Sequence, residues 1–447
     1  MRKAVFYPLL AIFSIFCRVL AAAEISLTIL ATGDLHGETA VIDGPLREFV
    51  AQTFAANPGK VLYVDAGDTV QGTFAAWRNC GRSITGRLHR IGCAVFVPGN
   101  HDVEFGFQAF ADIVREFPGA VLAANLHAPE LADKVEPFRI FTLDGVRVAV
   151  IGAMLPGMNS CFPIAPERFE TLPSQEPLRR CVAQVLAARA DLVVLVRHSG
   201  IHSAGENLYS LMKEVPGIDL VVGAHTHKAE PGRRVGGAWY VQPPPHGEGL
   251  VKVTAVMDRK THRLLRLESA IIPLAKPLPD PDPLLRREVL RAEPVVSWAA
   301  ETMRRTVRAD VAIYALPSKK SAARLEASVP LTVENCYRVF PYCDRIVTVD
   351  LTAEEIRAIV AEYGAFAVKR KMLLTMAGGT FAMKRSHLTE FRLERGKALY
   401  RVALSSYAAA GAGGMLPATR AIVRRKLDYA TVESGVPILK ALCGDAL

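Results

Sequence analysis

Short, continuously apolar runs rich in β-branched residues recur between Glu24 and Pro273, and they constrain the fold more than any other feature. Such runs are typical of strands that are covered on both faces of a sheet. Amphipathic stretches such as Leu178–Arg189 lie between them, so the alternation predicts a layered α/β domain. The predicted strands are Leu27–Ala31, Val61–Val64, Ala94–Val97, Val121–Ala123, Val146–Ile151, Leu192–Val196 and Leu220–Val222, with closing strands at Trp239–Val241 and Val251–Met257.

Five polar segments each follow one of these strands, at the carboxyl ends where α/β sheets bind ligands. The segments are Gly33-Asp34-Leu35-His36-Gly37, Gly67-Asp68-Thr69-Val70-Gln71-Gly72, Gly99-Asn100-His101-Asp102, Arg197-His198-Ser199-Gly200 and Gly223-Ala224-His225-Thr226-His227. Asp34 with His36, and His225 with His227, are two residues apart and so could each reach one ion. The two oxygens of Asp68 could bridge a pair of ions. Each segment alone is more often structural, but all five in this order predict one two-metal site.

A proline-rich stretch from Pro273 to Pro283 interrupts the pattern and predicts a linker, because proline is excluded from helix interiors and central strands. A helix is predicted from Leu284 to Arg308, with Pro294 as a candidate interruption. Strands near Val311–Tyr314, Ile346–Val349 and Tyr400–Leu404 and a helix at Ala353–Glu362 follow. We therefore expect a first domain at 24–273, a linker and helix at 274–308, and a smaller second α/β domain at 309–447.

The first 23 residues have the layout of a signal peptide. Arg2 and Lys3 precede an apolar run that ends near Phe16, and Ala21-Ala22-Ala23 offers a cleavage site before Glu24. An uncleaved anchor is the alternative, although the run is short for a membrane span. The sequence thus predicts an exported protein, periplasmic or secreted, that keeps no stable membrane span after cleavage.

Seven cysteines remain in the predicted mature chain, and some should pair in an oxidising compartment. Cys80 with Cys93, and Cys336 with Cys343, are close in sequence, but connectivity stays open. The formal charge is +10, from 54 basic and 44 acidic residues, and it falls to +7 without residues 1–23, which hold three basic residues and no acid. This positive balance suits anionic small molecules. The sequence has no basic run interleaved with aromatics of the kind that would predict a nucleic-acid-binding groove.

The five segments resemble those of the calcineurin-like metallophosphoesterases, and within them the exported 5′-nucleotidase / UDP-sugar hydrolase / 2′,3′-cyclic phosphodiesterase group. The resemblance covers residues 27–258 and continues more loosely over 309–415. It implies a two-sheet sandwich with flanking helices, followed by a reduced 5′-nucleotidase-like domain. It also implies two divalent ions (Mn, Zn, Fe or Co), which would activate a water and clamp the phosphoryl oxygens. The implied ligands are Asp34, His36, Asp68 and His227 for one ion, and Asp68, Asn100, His198 and His225 for the other.

The resemblance further implies that His101 protonates the leaving oxygen and is oriented by a carboxylate three residues on, here Glu104. The group usually has aspartate at this position, so the orienting arm is one methylene longer in this chain. The alternative for Glu104 is an ordinary surface acid. His202 and His246 could border the pocket, although structural or solvent-facing roles are the more common fate of such residues.

The second domain of that group stacks a base between two aromatic rings, and Tyr342 and Tyr407 fall on those positions. Its Asn-Gly-Gly-Gly-x-Arg loop is missing here, and Arg324 or nearby lysines would have to replace the arginine. Its Gly-Gly-Asp-Gly-Tyr segment becomes Gly411-Ala412-Gly413-Gly414-Met415 and loses the acid. These departures concern nucleotide recognition rather than the hydrolytic residues.

The resemblance therefore predicts a phosphomonoesterase that acts on nucleotides, most simply a 5′-nucleotidase. One alternative keeps the metal centre but changes the substrate to a cyclic nucleotide, a sugar nucleotide or a sulfur ester, the last as in thiosulfohydrolases. Another alternative is a non-catalytic partner-binding protein with a vestigial metal site. A binding module would have no need of His101, which favours the enzyme.

Overall fold

A computed structural model of the chain describes residues 24–203, 206–277, 282–291 and 294–447. The predicted signal peptide lies outside the described residues. Among the helices within these ranges, none has the length and apolar character needed to cross a membrane. All of the strands and helices named below fall within the described ranges.

The first of two large sheets is built from seven strands, five of which run parallel. The strand Glu24–Thr32 pairs in parallel with Val61–Asp65 and antiparallel with Gly249–Asp258. Because the parallel strands point the same way, their carboxyl ends meet at one edge. In spatial order the seven strands are Leu264–Pro273, Gly249–Asp258, Glu24–Thr32, Val61–Asp65, Cys93–Phe96, Ala120–Leu122 and Val135–Glu136.

The second sheet has six strands, and its four central strands are parallel. Both edge strands are antiparallel to their neighbours. In spatial order the strands are Glu230–Val235, Ala238–Gln242, Leu220–Val222, Leu192–Arg197, Val146–Ala153 and Phe138–Leu143. The strands predicted between Glu24 and Pro273 are confirmed to within two residues at each end, except that the first begins at Glu24 rather than Leu27.

The two sheets face each other across an apolar core that contains side chains from both, such as Leu27, Val64, Val150 and Val194. Helices cover the outer faces, so the continuous apolar runs are buried on both sides, as the sequence predicts. The covering helices include Arg47–Ala56, Ile84–Arg90 and Phe107–Glu116 over the first sheet, and Gln175–Ala187 and Leu208–Glu214 over the second. The layered α/β sandwich is thereby confirmed.

The C-terminal part has a four-stranded mixed sheet with strands in the order Ile346–Leu351, Tyr400–Ser405, Val311–Leu316 and Leu373–Ala377. Helices Val295–Thr306, Lys319–Ala327, Val333–Val339 and Ala353–Arg370 pack around it. A hairpin of Gly379–Lys384 and His387–Leu393, which the sequence did not predict, lies against the longest helix. The boundaries of the two domains remain predictions.

The two halves of the chain share their apolar cores. Phe74, from the metal-binding half, is buried among the side chains of the C-terminal sheet and its helices. Cys343, from the C-terminal half, is buried in the core beneath the first large sheet. Each half thus contributes a buried side chain to the core of the other, and the partly buried Trp77 packs beside Phe74.

The interruption allowed for at Pro294 is confirmed, whereas the expected pairing of cysteines is wrong. In place of one helix from Leu284 to Arg308 there is a short 3₁₀ turn, Pro283–Arg286, and a separate helix, Val295–Thr306. Pro294 lacks an amide hydrogen and disfavours a helical residue before it, so the helix begins just after it. All seven described cysteines are free. Cys93 is buried within its strand, and Cys336 and Cys343 lie in different cores.

The glycine at 67 has no room for a side chain. Its φ is +87°, and a Cβ would lie 2.4 Å from Gly99 N and 2.5 Å from Val97 O, which are main-chain atoms that cannot rotate away. We therefore expect Gly67→Ala to lower the free energy of unfolding, measured by urea denaturation, by about 2 kcal/mol or more beyond a matched control.

The control is Gly59→Ala, because Gly59 also has a positive φ, +71°, but a Cβ there meets nothing within 4 Å. This variant should show only the cost of a left-handed alanine, about 1 kcal/mol. Equal losses in the two variants would contradict the close packing of the strand ends.

Candidate metal centre

The predicted ligands lie on loops that leave the carboxyl ends of parallel strands in the two sheets. Five of them have left-handed backbone angles: φ is 52° at Asp34, 49° at His36, 53° at Asp68, 72° at His225 and 54° at His227. Side chains other than glycine avoid this region, and residues held there cluster at functional sites. These turns are locally unfavourable for the backbone, and they direct five polar side chains towards one site.

The first cluster consists of Asp34, His36 and His227, whose ligand atoms all lie within 4.8 Å of one another. His36 Nε2 is 3.0 Å from His227 Nε2, and His227 Nε2 is 3.6 Å from Asp34 Oδ1. His36 Nδ1 lies 2.9 Å from Gln71 O and donates to it, since a carbonyl can only accept. That bond fixes the ring so that Nε2 faces the cluster.

The second cluster consists of Asp68, His198 and His225, again within 4.8 Å. His198 Nδ1 donates to Ala66 O at 2.7 Å, which directs Nε2 towards Asp68 Oδ2 at 3.1 Å. That approach is close but lacks hydrogen-bond geometry, and Asn100 Oδ1 is also buried without a partner. An amide oxygen and a ring nitrogen that lack hydrogen-bond partners can both bind a cation, so the residues present suit the predicted metal.

Burial and the neighbouring carboxylates set the charges in the site. Burial raises the pKa of Asp34 to about 7, and the adjacent Asp68 adds to the shift. Burial disfavours a charged His198, but the Asp68 carboxylate outweighs this and raises the pKa of His198 to about 9, so this ring must lose a proton before it can bind a metal. Burial lowers the pKa of His36 and of His225 to about 4, so both rings are neutral at pH 7, as metal ligands must be.

Asp102 is a supporting residue to which the sequence analysis assigned no role. Its buried carboxylate accepts hydrogen bonds from the main-chain N–H groups of Asp68 at 2.8 Å, Thr69 at 2.9 Å, Val70 at 3.0 Å and Gly99 at 2.7 Å. These bonds tie the loop that carries Asp68 to the loop that carries Asn100. Its place in the Gly-Asn-His-Asp segment was the one signal for it.

His101 and Glu104 lie beside the two clusters and contact each other, with Nδ1 2.5 Å from Glu104 Oε2. The main-chain N–H of His101 donates to Asp68 Oδ1 at 2.7 Å, which fixes the ring near the cavity. Burial disfavours the charged ring, but Asp68 and Glu104 outweigh this and raise the pKa of His101 to about 9. Glu104 is therefore not a free surface acid.

Tyr342 and Tyr407 are both partly exposed, and Tyr342 lies next to the metal centre. Its ring is 6.0 Å from that of His101, with 14° between the planes. The partly buried carboxylate of Asp344 accepts from Ser406 Oγ at 2.6 Å and from Tyr407 N at 2.9 Å, and so links the two tyrosine segments.

Arg324 is not brought to the tyrosines. It is exposed on the helix Lys319–Ala327, and among the described residues its side chain contacts neither ring. Arg370 lies closer, since its charge lowers the pKa of Tyr407 against the effect of burial. Nothing in the sequence indicated that Arg324 would be exposed on a helix or that Arg370 would lie near Tyr407.

His246 borders the first cluster, whereas His202 does not. The His246 ring lies 4.9 Å from that of His36 and 5.2 Å from that of His227, and its main-chain N–H donates to Asp34 O at 2.6 Å. His202 is exposed on a two-residue strand, with its ring 6.3 Å from that of Tyr209.

Comparisons with known proteins identify related sequences and folds. Residues 27–229 match the calcineurin-like phosphoesterase family. A snake venom 5′-nucleotidase from Gloydius brevicauda is 26% identical over 237 residues, which cover 47% of this chain and 39% of that protein. The matched segment thus spans about two fifths of this curated relative.

Two solved structures share the fold over most of the chain. A putative 5′-nucleotidase from Staphylococcus aureus superimposes with a TM-score of 0.70 at 14% identity, covering 94% of this chain and 96% of that one. A 5′-nucleotidase precursor from Thermus thermophilus gives a TM-score of 0.62 at 20% identity, with the same coverage. The two-part architecture is therefore that of the 5′-nucleotidase fold.

We expect Asp102→Asn to weaken metal binding by about 10- to 100-fold, the usual cost of removing a residue that supports metal ligands. An asparagine amide would turn a donor towards some of the four N–H groups that the carboxylate now accepts, and the Asp68 and Asn100 loops would separate. Competition with a chromophoric chelator measures the affinity. Asp112→Asn is the control, because Asp112 pairs with Arg82 on the surface; an affinity equal to that of this control would refute the supporting role.

Proposed function

Because the chain carries a calcineurin-like phosphoesterase domain over residues 27–229, we propose that it is a dinuclear-metal phosphomonoesterase with 5′-nucleotidase activity. The observation that carries the proposal is the presence of two ligand clusters together with two buried atoms that lack a hydrogen-bond partner, Asn100 Oδ1 and His198 Nε2. We also propose that the protein is exported, on the basis of the first 23 residues of the sequence.

The proposed ligands divide between two ions that share Asp68. One ion would be held by Asp34, His36, Asp68 and His227, and the other by Asp68, Asn100, His198 and His225. When bound, the pair would supply a water with a lowered pKa and neutralise charge on the phosphoryl oxygens. The nitrogen and oxygen ligands suit Mn, Zn, Fe or Co.

The proposed general acid is His101. Burial disfavours the charged form of its ring, but Asp68 and Glu104 outweigh this and raise its pKa. Glu104 accepts from Nδ1 and thereby leaves Nε2 to donate to the oxygen of the departing group, which leaves as a hydroxyl rather than an alkoxide.

The proposed nucleotide specificity rests on the C-terminal half. Tyr342 and Tyr407 both have partly exposed rings on which a base can stack, and the Tyr342 ring lies near His101. Residues 294–447 carry 23 basic and 14 acidic side chains, whereas residues 24–277 carry 25 and 26. The excess of positive charge therefore lies in the C-terminal part, which favours anionic substrates.

His101→Ala should reduce kcat on AMP by at least about 10² to 10⁴, since positioned proton transfer contributes that much. The number of bound ions per chain should not change, because His101 is no proposed ligand. Steady-state assays and elemental analysis of the same samples measure both quantities. His387→Ala, on the surface hairpin, is the control; loss of both ions in His101→Ala would exclude the catalytic role.

Tyr342→Ala should raise KM for AMP by about 5- to 150-fold, since stacking of a base on an aromatic ring contributes about 1–3 kcal/mol. The change for an aryl phosphate, which has no base, should be smaller, and Tyr342→Phe should restore AMP binding because it keeps the ring.

The substrate panel comprises AMP, UDP-glucose, 2′,3′-cAMP and an aryl phosphate, assayed on protein of known metal content. AMP should give the highest kcat/KM. A preference for UDP-glucose or 2′,3′-cAMP would replace the 5′-nucleotidase assignment with a phosphodiesterase. Absence of turnover on the whole panel with Mn²⁺ present would reject the phosphatase.

A further inference from the structure

The segment 341–345 of the C-terminal half is held against the metal-binding half by several hydrogen bonds. Gln71 Nε2 donates to Pro341 O at 3.1 Å, and Arg345 Nη2 donates to Phe105 O at 3.4 Å. Just before the segment, Tyr337 OH donates to Gly72 O at 3.0 Å. Gln71 belongs to the metal-binding half, whereas Tyr337 and Arg345 belong to the C-terminal half. Each half thus donates hydrogen bonds to the other at this contact.

Glu104 belongs to this contact as well as to the catalytic pair. Its Oε2 faces His101 Nδ1 at 2.5 Å, while its Oε1 accepts from the main-chain N–H of Cys343 at 2.5 Å. The side chain of Glu104 is only 7% exposed. An ionised carboxylate only accepts hydrogen bonds, so its two oxygens hold two donors in place at the same time.

The two donors belong to parts of the protein with different roles. His101 faces the metal ligands, whereas Cys343 follows Tyr342, the proposed base-stacking residue. The Tyr342 ring also lies 6.0 Å from the His101 ring. One carboxylate therefore connects the proposed acid to the segment that would bind the base.

We propose that Glu104 is a positioning residue that couples the orientation of His101 to the docking of segment 341–345. While the segment is docked, both oxygens are occupied and the carboxylate is fixed. If the segment moves away, Oε1 loses its donor, and the carboxylate that orients the imidazole becomes free to rotate. The proton donor is then well aligned only when the base-binding segment is in place.

The length of the side chain at 104 makes this coupling possible. Aspartate at the same position would be one methylene shorter, and it could not hold His101 and reach Cys343 N together. The coupling to catalysis rests on the proposed role of His101, whereas the docking contact itself does not.

The first test is hydrogen exchange, followed by mass spectrometry, on the metal-loaded full chain. Glu104→Asp should accelerate exchange in peptides that cover 341–345 by about tenfold or more, because a hydrogen bond to a charged group is lost. His101→Ala, which leaves Glu104 and Cys343 intact, should keep these peptides protected. Glu104→Gln, which keeps the length but loses the charge, serves as a second variant if the aspartate fails to fold.

Unchanged exchange in both variants at position 104 would overturn the docking role. Hydrogen exchange is measured without turnover, so it tests the docking role even if the substrate panel shows no phosphatase activity. The two proposals can therefore fail separately.

The second test loosens the segment without altering Glu104 or His101. Tyr337→Phe removes the hydroxyl that holds Gly72 O. It should lower kcat on AMP, whose leaving group needs a proton, by a larger factor than kcat on 4-nitrophenyl phosphate, whose leaving group does not. Tyr209→Phe, on the helix Leu208–Glu214, is the control. Equal losses on both substrates would show that the segment does not act through the acid.

Discussion

Four buried carboxylates at one edge of the first sheet set the main physical constraint on this structure. Asp34, Asp65, Asp68 and Asp102 are each 1% exposed or less, and isolated charges in such a place are very costly. Asp102 is satisfied by four main-chain N–H groups, and Asp65 accepts from Thr32, Thr69 and Gly67 N. Asp34 and Asp68 are left with histidines around them, and a pair of cations would complete their neutralisation.

This arrangement explains why the site tolerates so much backbone strain. The left-handed turns at the ligands bring carboxylates close to one another and histidine rings close to one another. No single interaction within the loops would favour that arrangement. Burial of the two sheets against each other fixes the loop ends, and the hydrogen bonds of Asp102, His36 and His198 set the direction of each ligand atom. The packed sheets and these hydrogen bonds thus hold the ligand loops in a locally unfavourable geometry that would let an ion bind without rearrangement.

Much of the fold could be predicted because buried parallel strands and their polar carboxyl ends leave a local trace in the sequence. Asp34, His36, Asp68 and His225 are found together because each directly follows an apolar run. The second contact of Glu104 left no such trace, since its partner is a main-chain N–H 239 residues away. The role of Arg324 was inferred by position alone, and it stays a prediction for a residue that is exposed on its helix.

The burial of Phe74 and Cys343, each in the core of the opposite half, has a consequence for the motion of the two halves. Phe74 and Cys343 are 5% and 6% exposed in the core of the opposite half. Any swing of one half away from the other would bring both into water, at about 1.5–3 kcal/mol for the phenylalanine alone. The open form would therefore be a minority population in the resting molecule, and the proposed stacking of a base on Tyr342 would take place between halves that are already in contact.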